Sequence, residues 1–356
     1  MSQRLRRVAL LTGGGDAPGL NGVIESIGRV LLSQGVEVLG IQDGFEGVFE
    51  KRFLNLNLET LRGRHAQAGT LLGTSNKSRI EGREAEFLRN FSALQCDGLI
   101  AAGGDGTFAA LSHVSSQIPL IGLPKTIDND IAGTDFSFGF DTACSVVAES
   151  VDALRATAEA HRRVIFVEVM GRTTGWIAMG GGLAALADGI LVPELPYSEK
   201  ALAQYLITQH AEGRRGLVFV VSEAAHAQGG SARVAFRVER AVQQERFGGI
   251  AESLARWAEN NSPWECRHVV LGHLQRSRAP TTTDRFLAQS MGVRAAQLAL
   301  SGIWNRAVVF REGRVVDVEL KDIQAPPKHL SAQHRWVRLA RAQGVFVDGS
   351  VSGVGG

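Results

Sequence analysis

The chain has 356 residues, 44% of them hydrophobic and 21% charged, which is enough for one large or two medium globular domains with a substantial core. A formal net charge of +2, with 38 basic and 36 acidic residues interleaved, argues against a nucleic-acid stripe or a membrane-binding face, so neither partner is expected. Cys96, Cys144 and Cys266 are far apart, odd in number and form no Cys-x-x-Cys pair, which argues against a disulfide framework or a zinc site and suits a reducing cytoplasm.

The apolar run behind the basic start is too short for a signal-peptide core, and no run approaches the roughly 20 residues that span a bilayer. Val8 to Leu11 predicts a buried strand, the loop Thr12-Gly13-Gly14-Gly15-Asp16-Ala17-Pro18-Gly19 follows, and a helical pattern runs from Asn21 to Gln34. Val36 to Ile41 predicts a second strand with a loop over Asp43 to Gly47. Gly69 to Asn76 is another loop of glycines and hydroxyls. Gly98 to Ala102 predicts a strand delivering Gly103-Gly104-Asp105-Gly106-Thr107, with a helix from Phe108. Pro119 to Leu123 predicts a strand delivering Pro124-Lys125-Thr126-Ile127-Asp128-Asn129-Asp130.

The alternation repeats in the second half. A helix is expected from Asp141 to Glu159, then strands over Arg163 to Met170, Gly189 to Val192, Leu217 to Val221 and His268 to Leu271. A helical stretch holds Trp176 and Gly180 to Gly182. The charged stretch Arg233 to Arg246 reads as a solvated helical surface, and the tail as helical from Lys328 to Ala342 and then frayed. Together these predict an α/β fold: two similar Rossmann-like domains with mostly parallel sheets flanked by helices, and an active site in the cleft between them. The expected division is 1–140 with 275–325, and 141–274 with 326–356.

Backbone amides at a helix N-terminus attract phosphate, and Gly13 to Gly15 and Gly103, Gly104 and Gly106 offer that twice. Neither loop is a P-loop or a clean Gly-x-Gly-x-x-Gly. Asp105 inside the second is the sharper signal, since a carboxylate beside a polyphosphate is repulsive unless magnesium lies between them. Asp128 and Asp130 sit two apart, so in an extended loop they share a face, and one could take a proton from an attacking hydroxyl. Arg163, Arg172, Arg267, Arg276 and His273 fall at or beside strand ends, where a guanidinium can grip phosphate, with Glu223 available for sugar hydroxyls.

These motifs, with Gly133-Thr134-Asp135, Met170-Gly171-Arg172, Ser222-Glu223 and Gly272-His273-Leu274-Gln275-Arg276, run in an order that resembles the phosphofructokinases over nearly the whole chain. The resemblance implies phosphoryl transfer to the 1-hydroxyl of fructose 6-phosphate, with Asp128 as general base and Asp105 binding Mg2+. It places Thr126, Arg172 and Lys125 at the transferred group, and Gly14, Gly15, Asn76, Gly104, Gly106 and Thr107 at the donor, which falls in residues 1–140 with 275–325. Thr126, Asp128, Met170, Gly171, Arg172, Glu223, His273 and Arg276 would hold the sugar phosphate, joined by Arg163 and Arg267 from a neighbouring subunit. A homo-oligomer, dimer or tetramer, with sites completed across subunits is therefore expected.

Two positions bear on the donor. In the family, Gly at position 106 leaves room for the α-phosphate of ATP, whereas Lys at position 125 is typical of pyrophosphate users. An Asp at 106 would be a hard exclusion and a lysine can swing aside, so ATP is expected and pyrophosphate is the alternative. Asn76 stands where ATP enzymes commonly carry an arginine. Glu25 stands where allosteric bacterial relatives carry an arginine for the effector phosphate, so regulation of that kind is expected to be weak or absent.

Overall fold

The computed structural model describes residues 4–75, 79–237 and 245–348, with the backbone alone at Phe236, Arg237 and Arg246. Asn76 and Lys77 lie outside the described residues. In chain order the first elements are β1 (Arg7–Thr12), α1 (Leu20–Ser33), β2 (Glu37–Ile41), α2 (Phe45–Phe49), β3 (Phe53–Leu56) and α3 (Leu58–Leu61). They continue with α4 (Glu84–Ser92), β4 (Gly98–Gly103), α5 (Asp105–Ser112), β5 (Leu120–Pro124) and the long α6 (Phe140–His161). The second half brings β6 (Arg163–Val169), α7 (Trp176–Ala184), β7 (Gly189–Leu191), α8 (Glu199–Ala211) and β8 (Leu217–Ser222). After it come β9 (Val234–Arg237), β10 (Glu245–Phe247), α9 (Ile250–Asn261), β11 (Glu265–Val270), α10 (Leu274–Ser277), α11 (Thr282–Leu300), β12 (Arg306–Arg311), β13 (Arg314–Glu319) and α12 (Arg335–Ala342).

The described chain divides into two compact units, 4–142 with 276–327, and 143–237 with 245–275 and 328–348. The first holds a seven-stranded sheet in the order β13-β12-β5-β4-β1-β2-β3, parallel except for β3 and β13 at its edges. β1 shows why: Val8 to Thr12 are fully buried, as a strand covered on both faces must be. Val8 and Leu10 face a core completed by Leu20, Val23, Ile24 and Ile27 of α1 and Ala288, Met291 and Ala295 of α11. Ala9 and Leu11 face the opposite core with Phe45, Phe87, Phe108 and Leu111 of α2, α4 and α5. The second unit holds a parallel four-stranded sheet, β11-β6-β8-β7, with α8 and α9 covering one face through Leu202, Leu206, Ile250 and Leu254. The architecture is α/β with mostly parallel sheets flanked by helices. No helix among the described residues is long and apolar enough to cross a membrane.

Four stretches depart from the sequence expectation. Asp43 to Gly47 is not all loop, because α2 begins at Phe45, whose ring packs edge-on against Phe87. α5 begins at Asp105, so Asp105, Gly106 and Thr107 form its first turn rather than the loop before it. The described ends of the charged stretch, Val234–Arg237 and Glu245–Phe247, form an antiparallel β9–β10 pair and not a helix, and residues 238–244 between them lie outside the described residues. The tail turns helical only at Arg335, capped by the His334 ring, and from α12 as far as Asp348 it docks: Val345, Val347 and Asp348 are buried and the Phe346 amide donates to Asp188 O, while residues 349–356 of the expected frayed end lie outside the described residues.

Candidate active site

Strand order in the first unit reverses at β1: the chain leaves β1 for β2 on one side and comes back to β4 on the other. α1 and α5, which follow β1 and β4, pack on opposite faces of the sheet. The two Gly-rich loops therefore diverge at the carboxyl ends of adjacent strands, the crevice in which open α/β sheets take ligands.

Gly13 and Gly103 are packing glycines. A Cβ at Gly13 would stand 2.6 Å from Thr107 Oγ1, and one at Gly103 would strike the same side chain. Thr107 is thus buried between the two loops and holds them together. Gly14, Gly15, Gly104, Asp105 and Gly106 are the partly exposed members. Gly14 sits at φ +78°, a left-handed conformation that glycine takes without strain, and its carbonyl accepts from the Thr74 hydroxyl. No side chain caps the start of α5, so its first amides and the positive end of its dipole are offered to an anion.

Lys125 lies under this cradle. It is 2% exposed, and its ammonium donates to the Gly15 carbonyl. Burial pushes that ammonium down to about 7, with Arg276 adding to the shift and Asp128, Asp16 and Asp130 opposing it. The expectation that Lys125 swings aside is corrected: its amine is buried and tied to backbone. Arg276 donates to the Asp16 carbonyl, which sets its guanidinium against Gly15 in the first unit.

Thr126, Asp128 and Asp130 follow β5 and are all buried, and the Asp128 amide donates to Thr126 Oγ1 at 3.0 Å. The loop is not extended, which corrects the reason for expecting the two carboxylates on one face: Asn129 turns it at φ +53°. Burial, followed by the charges of Asp128 and Asp105, pushes Asp130 up to about 7, so both of those carboxylates lie within electrostatic reach of Asp130. Asp128 Oδ1 is buried with no hydrogen-bond partner. An orphaned polar atom of this kind costs about 1–3 kcal/mol, so the site holds a ready acceptor at a standing cost in stability.

In the second unit the loop after β6 carries Met170, Gly171 and Arg172. Gly171 has φ +146°, and a Cβ there would crowd the Thr174 carbonyl. Arg172 also takes a left-handed backbone, φ +56°, held by its amide donating to Glu223 Oε1 at 2.8 Å. Glu223, following β8, holds that strained turn in place. His273 is exposed beyond the carboxyl end of β11.

Arg163 and Arg267 do not join this group. Arg163 opens β6, at the opposite end from Arg172, and pairs with Glu265 at 2.8 Å. Arg267 sits mid-way along edge strand β11, paired with Glu259 at 3.3 Å and with Glu265. Seven residues of strand separate the two ends of β6, roughly 20 Å at the rise of a parallel strand.

Among the described residues no group of three His, Cys, Asp or Glu side chains forms a closed metal cage. Magnesium needs none: one or two carboxylates with phosphate oxygens and water hold it. Asp105, beside the open end of α5 and within electrostatic reach of Asp130, fits that donor set.

Comparison with known proteins gives a family and a fold. The phosphofructokinase family matches residues 7–299. The chain is 39% identical to the ATP-dependent 6-phosphofructokinase of Chloroflexus aurantiacus, over 97% of this chain and 98% of that protein. It is 40% identical to ATP-dependent 6-phosphofructokinase 2 of Streptomyces coelicolor, over 96% and 100%. Pichia pastoris phosphofructokinase in the T-state superposes with a TM-score of 0.80 at 26% identity; this chain covers 37% of that one, and 97% of this chain is matched. The pyrophosphate-dependent phosphofructokinase of Marinobacter aquaeolei gives a TM-score of 0.81 at 19% identity, over 97% and 93%, a likeness of fold alone.

Proposed function

The chain belongs to the phosphofructokinase family, and we propose that it is a 6-phosphofructokinase moving the terminal phosphoryl group of ATP to the 1-hydroxyl of fructose 6-phosphate. The observation that carries the reading is Asp128: a buried carboxylate oxygen without a partner, on the loop that follows β5 in a sheet whose neighbouring loops are phosphate cradles. Ionised, Asp128 takes the proton of the attacking hydroxyl as the new oxygen–phosphorus bond forms, and ADP leaves. Amides of Gly14, Gly15, Gly104 and Gly106 and the Lys125 ammonium serve the donor phosphates. Thr126 and Arg172 steady the group in transit. Met170, Gly171, Glu223, His273 and Arg276 hold the sugar phosphate. Asp105 would hold Mg2+, which when bound neutralises charge on the donor phosphates.

ATP is the favoured donor because Gly106, in the first turn of α5, presents no carboxylate to a nucleotide, and the relatives at 39–40% identity are named ATP-dependent. Pyrophosphate is the second reading, supported by Lys125 at the Gly15 carbonyl, where an ammonium can neutralise a phosphate leaving group. Arg163 and Arg267 support a homo-oligomer: cations at the far end of β6 and along the exposed edge strand β11 serve a second copy's acceptor site more readily than their own. A cytoplasmic, glycolytic enzyme follows from this reading. The deciding experiment is a coupled assay with fructose 6-phosphate and magnesium, run in parallel with ATP and with pyrophosphate. Turnover with pyrophosphate alone overturns the donor, and turnover with neither overturns the function.

A further inference from the structure

Asn129 lies between two acidic residues, Asp128 and Asp130, in the loop that follows β5. It is 1% exposed and has a left-handed backbone, φ +53°, which asparagine tolerates better than most side chains. Its amide group is bonded on both sides. Oδ1 accepts the Ser137 amide at 3.1 Å, and Nδ2 donates to the Asp135 carbonyl at 3.3 Å. Ser137, also 1% exposed, closes a ring by donating its hydroxyl to the Thr126 carbonyl at 2.6 Å.

The segment that Asn129 grips is itself fixed to the sheet. The Asp135 amide donates to Phe310 O at 2.7 Å, Thr134 Oγ1 accepts the Phe310 amide at 3.1 Å, and the Glu312 amide donates to Asp135 Oδ2 at 2.7 Å. Phe310 belongs to β12, the strand beside β5. The backbone on both sides of Asp128 is thus tied to β12, through Asn129 after it and through Thr126 before it. Within this frame the Asp128 amide donates to Thr126 Oγ1, while Asp128 Oδ1 is left unpartnered.

We propose that Asn129 is the positioning residue that aims Asp128 at the acceptor hydroxyl. The proposal rests on Asp128 being the base. Each alternative at 129 loses a separable part of the arrangement. Glycine keeps the left-handed turn and loses both bonds. Alanine loses the bonds and resists the turn. Aspartate keeps the acceptor for Ser137 but sets a carboxylate against the Asp135 carbonyl.

The test is a double-mutant cycle with Asn129→Gly and Asp128→Asn, reading kcat, both KM values and thermal stability. Asn129→Gly is expected to lower kcat by roughly 10- to 100-fold, the scale of misaiming a reacting group, while the KM for each substrate stays within about threefold. In the Asp128→Asn background the same change should cost nothing further, because there is no base left to aim. Ser137→Ala, which leaves Asn129 and its backbone in place, is read in the same cycle and should act in the same direction should the glycine variant fail to fold. A wild-type kcat for the variant at 129 or 137, or an equal loss in the Asp128→Asn background, overturns the proposal. Wild-type turnover by Asp128→Asn alone sinks the Asp128 reading instead.

Discussion

The loops of the first unit and the strand ends of the second present polar groups in opposite ways. Around β1, β4 and β5 the groups are tied to backbone, and Lys125 and Asn129 are buried besides: Lys125 to Gly15, Arg276 to Asp16, Asn129 to Asp135 and Ser137. In the second unit Arg163 and Arg267 sit in exposed ion pairs with Glu265 and Glu259, far along the strands from Arg172 and His273. Fixed groups suit chemistry in which charge develops at one place, because they need no reorganisation as the bond forms. Exposed pairs exchange partners readily, since each is worth about 0–1 kcal/mol in water. A phosphate that displaces Glu265 from Arg163 loses little and gains a charge-assisted bond.

The sharpest break in that contrast comes from the fixed side. Chelation of divalent metal, or Asp105→Asn, should take turnover below detection while fructose 6-phosphate binding, followed by calorimetry, survives. Unchanged turnover under chelation would mean that Asp105 holds no ion. Next in size is the exchangeable side. Arg163→Ala should raise the KM for fructose 6-phosphate by roughly 10- to 100-fold, the weight of one or two charged hydrogen bonds, and leave the KM for ATP alone. If the arginine serves a second copy, mixing Arg163→Ala with Asp128→Asn under subunit exchange should recover turnover at the wild-type KM for fructose 6-phosphate, which neither variant shows by itself. Failure to recover it would place Arg163 in its own protomer's service or in none.

A smaller effect separates the buried lysine from an ordinary surface one. Lys125 falls to about 7 in the folded protein against 10.5 for a free side chain. Its contribution to stability is present in full above the unfolded value and is lost as pH falls through the folded one. The unfolded chain then holds the extra proton between about pH 7 and 10, so stability rises with pH in that window. Lys125→Met lacks this term, and the gap in melting temperature, wild type minus variant, should widen as pH rises from neutrality. A gap that stays flat would mean the ammonium keeps its proton in the fold.

The cradle was legible because apolar runs punctuated by glycine mark strand ends, and Asp105 and Asp128 fall just beyond them. The braces were not. Thr107 read only as a donor contact, and its packing against Gly13 and Gly103 had no signal in the sequence. Asn129 and Ser137, eight residues apart, meet only once the loop folds back on itself. Glu25 shows the same gap from another side. Its residue type suggested repulsion of an effector phosphate, yet it is 3% exposed and accepts the Gly63 and His65 amides and the Arg29 guanidinium. Its carboxylate fastens the segment after α3 to α1, a task that depends on a contact about 40 positions away in sequence, which no local pattern encodes.

The smallest expected effect tests the idea of exchangeable pairs most directly. Glu265 is the carboxylate shared by Arg163 and Arg267, and those arginines hold its proton affinity below the usual carboxylate range. If the pairs merely keep the arginines until phosphate arrives, Glu265→Gln should leave thermal stability unmoved. It should also lower the KM for fructose 6-phosphate slightly, since a competitor for both guanidinium groups has gone. If the pairs instead hold β6 against β11, the same change should lower the melting temperature and leave that KM where it was. Salt separates the two outcomes further: screening weakens an exposed pair and a phosphate contact alike, so the KM difference between wild type and Glu265→Gln should shrink as ionic strength rises. A difference that persists at high salt would mean the glutamate shapes the site by packing rather than by charge.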